Sequence, residues 1–404
     1  MFSSASQTII VTPILPVIGE ALDVDPSRLG LLVTVYSLVL AIAALVMGPV
    51  SDRVGRRRVL LLGAGTLVVA LALHGLARSF SMLLAMRVLA GAGGGMLSGA
   101  AVSYVGDYFP YHRRGWAAGW VMSGVPFGLV LGIPVGRVLA VGYDFRTPFL
   151  AFAAVMAVAF VLVLTIVPQP DVERERRLSL RDRLLRYPRL LGQRDALVAA
   201  VTYFLMYLSL GLLVVYLPQW LTERFPLGIT VFGRPFRLFG LDVDFIATLF
   251  LVGGAAGVVT GPAAGTLSDR IGRKPLILAS CLGLAVVTLA VTYVVVDRWV
   301  AYPIYLGIMV LFAMRMTPLQ ALLTALVPDR QRGSLLSLTI AVGQIGTALG
   351  AALSGVLYAG AGYRMTTFAS AAAILLMALL VWRALPEPVG VGEGAAEQEP
   401  TAAL

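Results

Sequence analysis

The chain has 404 residues, of which 59% are apolar and only 13% are charged. Soluble domains carry about 25% charged residues, so most of this surface does not face water. The net charge of +10 comes from arginines in the short gaps between apolar stretches, which excludes a nucleic-acid-binding face and favours contact with lipid headgroups.

Few residues could build a disulfide or a metal site. Cys281 is the single cysteine, so no internal disulfide can form. The two histidines, His74 and His112, are far apart and make no recognisable zinc pattern, so we expect no metal and no cofactor. The N-terminus lacks the basic region of a cleaved signal peptide, and the first apolar stretch is expected to be retained.

The apolar stretches predict twelve membrane-spanning helices. A hydrocarbon core of about 30 Å needs about 20 apolar residues per helical crossing. The predicted spans, numbered one to twelve, are 3–20, 28–50, 58–77, 81–106, 114–139, 147–167, 196–221, 244–265, 275–296, 299–326, 334–358 and 365–385.

Positive charge predicts the orientation. With a cytoplasmic N-terminus, 20 of the 31 Lys and Arg residues fall on the cytoplasmic side, nine fall on the outer side, and Arg87 and Arg315 lie within spans. This bias predicts that both termini are cytoplasmic.

The arginine-rich stretch 168–195 is either a flexible tether or a linker with an amphipathic helix on the membrane surface. We therefore expect an N-terminal bundle at 1–167, the linker at 168–195, a C-terminal bundle at 196–385 and a disordered tail at 386–404.

The two halves of the sequence repeat one plan. GPVSDRVGRR at 48–57 recurs as GTLSDRIGRK at 265–274, an offset of 217. Phe-Pro at 109–110 with Arg-Arg-Gly at 113–115 recurs as Val-Pro at 327–328 with Gln-Arg-Gly at 331–333, an offset of 218. Six spans in each half, related by an axis along the membrane normal, are therefore predicted.

The duplicated loop G-x-x-x-D-R-x-G-R-R resembles the signature loop of the major facilitator superfamily, and the likeness extends over the whole chain. In span five, the motif GIPVG at 132–136 resembles the antiporter motif with an isoleucine inserted, as in bacterial drug and sugar efflux permeases. The resemblance implies an all-α membrane protein whose twelve helices form two pseudo-symmetric bundles that work by alternating access. The span-five packing residues that it implies are Gly124, Gly128, Gly132, Pro134 and Gly136.

The signature loops also imply a conformational latch. In the family, the loop aspartate caps span eleven. The arginine that follows the second loop glycine pairs with an acidic residue that ends span four. Asp52, Arg56 and Asp107 occupy these places and would close the cytoplasmic side in the outward-facing state. Alternatively, these charges only satisfy the orientation rule. The predicted latch set is Gly48, Asp52, Arg53, Gly55, Arg56, Asp107, Gly265, Asp269, Arg270, Gly272 and Arg273.

Small residues recur every four positions on four spans, which lets helix backbones approach closely. By resemblance, spans two, five, eight and eleven form the contact between halves, so the stripes are either smooth surfaces for rocking or static packing. They comprise Gly91, Gly95 and Gly99; Gly124, Gly128, Gly132 and Gly136; Gly253, Gly257, Gly261 and Gly265; and Gly346, Gly350 and Ser354.

Charged and aromatic residues inside spans indicate a substrate or coupling site. A charge within a span is costly, so Arg87 and Arg315 are expected to face protein or water, either in the cavity or bonded to backbone as structural arginines. Aromatic walls with a few polar points suit amphiphilic compounds. The further candidates are Gln7 and Thr12 on span one, Tyr203 and Tyr207 on span seven, Gln320 on span ten, and Glu20.

The energy source is expected to be an ion or solute gradient. The only lysine, Lys274, precedes Pro275, so no Gly-Lys-Ser/Thr phosphate loop exists and no ATP is used. Proton coupling usually employs a carboxylate inside the membrane, and Glu20, at the outer end of span one, is the nearest candidate.

The sequence favours a monomeric secondary transporter in the bacterial inner membrane, which exports amphiphilic small molecules in exchange for protons. The alternative is an exporter or facilitator of a polar or anionic metabolite or sugar without carboxylate-based coupling. An intramembrane enzyme would need paired aspartates in spans, His-Glu-x-x-His or Gly-x-Ser-x-Gly, and none of these motifs is present.

Overall fold

The computed structural model describes residues 10–108, 120, 124, 128–169, 186–231, 234–235, 237–238, 241–325 and 329–385. Within these residues, ten helices are long and apolar enough to cross a membrane, and two shorter apolar helices, Val11–Leu22 and Val130–Gly142, lie in predicted spans one and five. The remaining parts of those two spans fall outside the described residues. An all-α, multi-pass membrane architecture is confirmed.

The helices follow the predicted order. In the N-terminal half they are Val11–Leu22, Pro26–Leu29, Leu31–Val54, Arg56–His74, Phe80–Tyr108, a π-helical turn at Gly128–Gly132, Ile133–Gly142 and Thr147–Thr165. A short linker helix, Arg186–Leu191, follows. In the C-terminal half they are Arg194–Val214, Leu217–Arg224, Phe245–Ile271, Arg273–Val294, Arg298–Ala325, Asp329–Ala361 and Tyr363–Ala384.

The signature loops are tight turns that require glycine. Gly55 separates spans two and three with φ of 109°, and Gly272 separates spans eight and nine with φ of 95°. Side chains with a Cβ rarely adopt such positive φ values. The repeat extends to side chains: the Oγ atoms of Ser51 and Ser268, 217 positions apart, each donate at 2.7 Å to the motif glycine carbonyl three residues earlier.

Two aspartates begin helices at the other end of the bundle. Asp25 accepts a hydrogen bond from the Ser27 N–H at 2.8 Å and also one from the Ser27 hydroxyl, and these bonds lower the pKa of the Asp25 carboxyl. Asp244 caps span eight in the same way and accepts from the Ala247 N–H at 2.8 Å. Both carboxylates satisfy backbone donors that the first helical turn leaves without partners.

The described residues of the segment between spans seven and eight, 222–243, contain regular secondary structure. Span seven continues as helix Leu217–Arg224, and two short antiparallel hairpins follow. Thr230–Val231 pairs with Arg234–Pro235, and Arg237–Leu238 pairs with Leu241–Asp242. An isolated bridge between Gly228 and Asp244 brings the loop back to the start of span eight.

Glycines bring helices together inside each half. A Cβ on Gly95 of span four would lie 2.6 Å from the Leu40 carbonyl oxygen of span two, and one on Gly350 of span eleven would lie 2.5 Å from the Leu208 carbonyl oxygen of span seven. Spans five and one of the N-terminal half meet in the same way, at Gly136 and Ile10. Spans eight and ten of the C-terminal half meet at Gly253 and Tyr305. These stripes therefore act as packing within a bundle, and span pairs two–four and one–five of the N-terminal half recur as eight–ten and seven–eleven.

Candidate functional site: contacts between the two halves

The bundle has two ends. We call the end that carries the Gly55 and Gly272 turns the motif end, and the end that carries the Asp25 and Asp244 caps the far end. The far end is where the two halves are bonded to each other through described side chains. These bonds involve three groups of residues, one on span five, one on span seven and one on spans two and eleven.

A buried ion pair joins span five to span eight. The Arg137 Nε atom donates to Asp244 Oδ2 at 2.7 Å, and the two side chains are 1% and 7% exposed. Arg137 Nη1 also donates to the Pro13 carbonyl oxygen on span one. One guanidinium thus ties two helices of the N-terminal half to the C-terminal half. Substitution of one partner would leave the other charge buried and unpaired, which costs about 3–5 kcal/mol, so the closed far end requires both residues.

Tyr216 of span seven forms a second bond between halves. Its hydroxyl accepts a hydrogen bond from the Gly30 N–H at 2.9 Å and donates to the Pro26 carbonyl oxygen at 2.7 Å. Its ring stacks on Tyr358 of span eleven, with centroids 5.0 Å apart. The tyrosine therefore fixes the turn between spans one and two against the C-terminal half.

Spans two and eleven touch through backbone. The Thr34 hydroxyl donates to the Ala348 carbonyl oxygen at 2.9 Å. A Cβ on Gly30 would overlap the Ala351 carbonyl oxygen, and a Cβ on Gly355 would overlap the Ser27 carbonyl oxygen. Only glycine allows helices to approach this closely, so the far end is closed by backbone-to-backbone contact as well as by side chains.

Space opens towards the motif end. Among the described residues, a Cβ on Gly257 of span eight would meet no atom within 4 Å, and one on Gly261 would meet Thr317 of span ten alone, at 3.9 Å. On span two, a Cβ on Gly48 would meet only the hydroxyl of Tyr187 in the linker helix, at 4.0 Å. Among the described glycines of these two spans, close approach between halves is thus confined to the far end.

The two arginines predicted inside spans are both buried, each within its own half. Arg87 is 1% exposed and lies over the rings of Tyr36 and Phe149, 5.5 and 5.0 Å from their centroids. Arg315 is also 1% exposed, lies 5.1 Å from the Phe312 ring centroid and donates from Nη2 to Ser209 Oγ at 3.4 Å. They face protein rather than lipid, and their role in substrate binding stays a prediction.

The aromatic residues predicted on span seven lie together, and their role in substrate binding stays a prediction. The Tyr203 and Tyr207 rings stack with centroids 6.1 Å apart, and the Tyr207 hydroxyl lies 4.0 Å from the Met316 sulfur on span ten. Gln320 lies beside the Tyr203 hydroxyl. These residues form an apolar and aromatic surface with polar tips, which suits an amphiphilic ligand.

The remaining predicted pathway residues are not brought to this cluster. Thr12 is buried on span one, and Glu20 is exposed near the far end. Gln7 lies outside the described residues. No group of three or more His, Cys, Asp or Glu residues in the described part of the chain could hold a metal ion.

The predicted latch is only partly described. Arg56 Nη1 donates to Ser51 Oγ, and Arg273 lies 3.7 Å from the Asp269 carboxylate and donates to the Ala321 carbonyl oxygen at 3.2 Å. The side chains of Asp52 and Asp107 lie outside the described residues, so the latch stays a prediction. Of the other members, Gly48 and Gly265 lie near the motif end on spans two and eight, and Arg53 and Arg270 are exposed.

The span-five packing residues surround the π-helical turn. Gly128 and Gly132 bound this turn, and Pro134 and Gly136 follow it in buried positions. Gly124 is half-buried. Among these residues, Gly136 makes the close contact, against Ile10 of span one.

Sequence reasoning missed the ion pair of Arg137 and Asp244. Arg137 lies within predicted span five, 114–139, although the orientation count places it with the outer-side charges. Asp244 is the first residue of predicted span eight, where a carboxylate is compatible with exposure to water. The rule that a charge within a span has a specific partner would have identified Arg137.

Comparison with known proteins gives the same architecture. A family model described as Major Facilitator Superfamily matches residues 1–314 and 199–404. In solved structures, a crystal structure of a D-xylose-proton symporter is similar with a TM-score of 0.74 and 18% identity, covering 96% of this chain and 95% of that one. A partially occluded inward-open structure of the xylose transporter XylE from E. coli has a TM-score of 0.75 and 16% identity, covering 96% of each chain.

Curated relatives are similar along nearly the whole chain. Multidrug resistance protein MdtG of Erwinia billingiae is 28% identical over 384 residues, which covers 92% of this chain and 89% of that protein. The MdtG protein of Proteus mirabilis is 24% identical over 94% of this chain and 92% of that protein. The MdtG protein of Escherichia coli K12/DH10B is 26% identical over 93% of this chain and 90% of that protein.

Proposed function

Because the chain belongs to the major facilitator superfamily, we propose that it exports amphiphilic small molecules across a bacterial inner membrane in exchange for protons. It is a membrane transporter by family. The substrate class, the direction and the coupling ion are the proposed part.

The similarity to multidrug resistance proteins carries the proposal. It extends over 92% of this chain in the Erwinia billingiae relative, so it includes both halves. A likeness of this extent favours a shared mode of transport over a shared fold alone. The xylose transporters share only the fold, since their identity to this chain is below 20%.

The span-seven cluster supports an amphiphilic substrate. Tyr203, Tyr207 and Met316 offer aromatic and polarisable surface, and Gln320 adds a polar group. Met and aromatic side chains adapt to ligands of varied shape. The alternative, an anionic solute held by Arg87 and Arg315, is less supported because each guanidinium stacks on aromatic rings inside its own half.

The charge bias supports a cytoplasmic location for the motif end and for both chain termini. In that orientation the far end faces outward, and the structure represents an inward-facing state whose outer side is closed. The predicted latch at the motif end would then form in the opposite, outward-facing state. Asp52, Arg56 and Asp107 are its proposed members.

Purified protein in proteoliposomes tests the proposal. With a proton gradient imposed across the membrane, the amphiphilic cation ethidium should move against the proton flux, and a protonophore should abolish its accumulation. Tyr207→Ala should weaken transport, whereas Tyr143→Ala, at an exposed far-end position, should not. Movement of an organic anion in place of ethidium, with loss of that movement in Arg315→Ala, would support the alternative instead.

A further inference from the structure

A small apolar cluster at the far end lies apart from the main hydrophobic core. Its buried members are Val138, at the end of span five, and Val243 and Ala247, around the start of span eight. Leu241, on the strand before span eight, packs against them. Because spans five and eight belong to different halves, these four residues, which we call the far-end apolar cluster, form a contact between the halves.

The chain before span eight alternates between two environments. Leu241 is half-buried and Val243 is buried, whereas Asp242 between them is exposed. Successive side chains of an extended chain point to opposite faces. Leu241 and Val243 therefore face span five together, and Asp242 faces away, where it pairs with Arg237 at 2.7 Å.

This extended segment is fixed to the C-terminal half. Strand Leu241–Asp242 pairs with strand Arg237–Leu238. Just after the strand, the Phe245 N–H of span eight donates to the Leu227 carbonyl oxygen at 2.8 Å. The segment is therefore expected to move together with span eight when the two halves separate.

Span five has a glycine where the segment meets it. A Cβ on Gly142 would lie 2.9 Å from Leu241 Cδ2, and carbon atoms in optimal contact are about 3.5–4.0 Å apart. The leucine side chain thus occupies the space that a Cβ on span five would take. The contact is close enough that it must break before the halves can move apart at this point.

The far-end apolar cluster is adjacent to the buried ion pair of Arg137 and Asp244. Val138 follows Arg137 in the chain, and Val243 precedes Asp244. Both ion-pair side chains are almost fully buried. Two opposite charges attract each other much less in water than in a medium of low dielectric constant, so this pair depends on neighbouring apolar side chains that keep water away.

We propose that the far-end apolar cluster is a seal, which keeps water off the ion pair and sets the balance between the closed and open far end. Opening then requires Leu241 and Val243 to leave span five, and the charges are hydrated only after that step. The proposal does not depend on which substrate the protein carries.

Cysteine labelling in right-side-out membrane vesicles measures far-end opening without any substrate. Ala348 is buried, and its carbonyl oxygen accepts the bond from Thr34 of the other half, so Ala348→Cys reacts with an impermeant maleimide only when the far end opens. Cys281 stays in place because it is buried. Leu241→Ala should raise the rate of Ala348→Cys labelling about tenfold, because apolar contact is lost in the closed state alone.

Two further leucine variants show whether the apolar contact is responsible. Leu241→Met keeps a similar apolar volume and should keep the parent rate. Leu76→Ala removes the same atoms from an exposed far-end position and should also keep it. A parent rate in Leu241→Ala overturns the proposal, as does an equal increase in Leu76→Ala.

The orientation of the protein is checked in the same vesicles. Ser79→Cys, at an exposed far-end position, should be labelled in right-side-out vesicles. If it is labelled only in inside-out vesicles, the proposed orientation is wrong, and the comparison of Leu241→Ala with Leu76→Ala in those vesicles decides whether the seal exists.

A disulfide across the contact tests whether it must separate during transport. The Leu241 Cγ atom would lie 3.5 Å from a Cβ on Gly142, so the double variant Gly142→Cys/Leu241→Cys should form a disulfide on oxidation, seen by mass spectrometry. Ethidium transport should stop in the oxidised pair and return on reduction, while the oxidant leaves each single variant unchanged. Failure of the disulfide to form overturns the contact, and transport at the unoxidised rate with the disulfide formed overturns the need for it to separate. If the parent does not transport ethidium, the proposed substrate class is wrong, and the labelling rates still decide the seal.

Discussion

Arg57 donates from Nη2 to the Leu164 carbonyl oxygen at 2.5 Å, which ties the first signature loop to the end of span six. The equivalent residue, 217 positions later, repeats the bond: Lys274 Nζ donates to the Leu385 carbonyl oxygen at 2.9 Å, just after span twelve. Carbonyls at a helix C-terminus lack partners within the helix and interact favourably with cations. Both halves therefore share a hydrogen bond from a basic residue of the signature loop to a carbonyl at the end of their sixth helix.

Arg57→Ala should lower the free energy of unfolding by about 1 kcal/mol, because one charge-assisted hydrogen bond is lost. Lys274→Ala should have a similar effect. Arg58→Ala, at an exposed neighbouring position, is the control and should change stability by less than about 0.5 kcal/mol. Melting temperatures in detergent measure all three, and equal losses in Arg57→Ala and Arg58→Ala would contradict the assignment.

Replacing either signature-loop glycine should destabilise the protein. Gly55 and Gly272 have φ of 109° and 95°, and a Cβ in left-handed backbone costs about 1–2 kcal/mol. Gly55→Ala and Gly272→Ala should therefore each lower the melting temperature. Gly257→Ala serves as control, since the site is helical and open, and alanine there should be neutral or stabilising.

Tyr216→Phe should loosen the far end while keeping the ring stack on Tyr358. The variant leaves the Gly30 N–H and the Pro26 carbonyl oxygen without this partner, which costs about 1–3 kcal/mol in the closed state. The labelling ratio, defined as labelling of Thr34→Cys by an impermeant maleimide in right-side-out vesicles divided by that of Ser79→Cys at an exposed far-end position, should rise about tenfold near neutral pH. Tyr143→Phe, at an exposed position, should leave the ratio unchanged.

Gly355→Ala should open the far end by steric overlap. The new Cβ would meet the Ser27 carbonyl oxygen of the other half and the Tyr216 hydroxyl at 2.8 Å. On the same helix, a Cβ at Gly360 would meet nothing within 4 Å, so Gly360→Ala is a matched control. A higher labelling ratio is expected in Gly355→Ala alone. If both variants keep the parent ratio, the overlap is relieved without separation of the halves.

The sequence predicted the helices and their division into two bundles because the apolar stretches and the internal repeat are both visible in the sequence itself. It predicted the loop that contains Gly55 because a short charged stretch with glycine between two apolar segments is typical of a connection. It did not predict the direction in which the glycine stripes face. Spacing alone shows that one helix surface is smooth, and whether Gly350 meets span seven or the other half depends on tertiary packing.

The functional contacts were harder to predict for a similar reason. Arg87 and Arg315 were identified as buried charges from their position in apolar sequence, and the structure adds their aromatic neighbours. Arg137 and Asp244 lie near helix ends, where a charge is compatible with ordinary exposure to water. Their pairing joins positions 107 residues apart, and only the docking of two bundles brings them together.

Packing of the Gly95 and Gly350 type has a mechanical consequence. Helices whose backbones touch along their length cannot slide past each other without overlap, so each bundle moves as a solid piece. Switching out of the described state then requires the bonds between the halves at the far end to break, while the contacts inside each bundle persist. A compound that binds at the far end and holds it either open or closed should stop transport without contacting the span-seven residues.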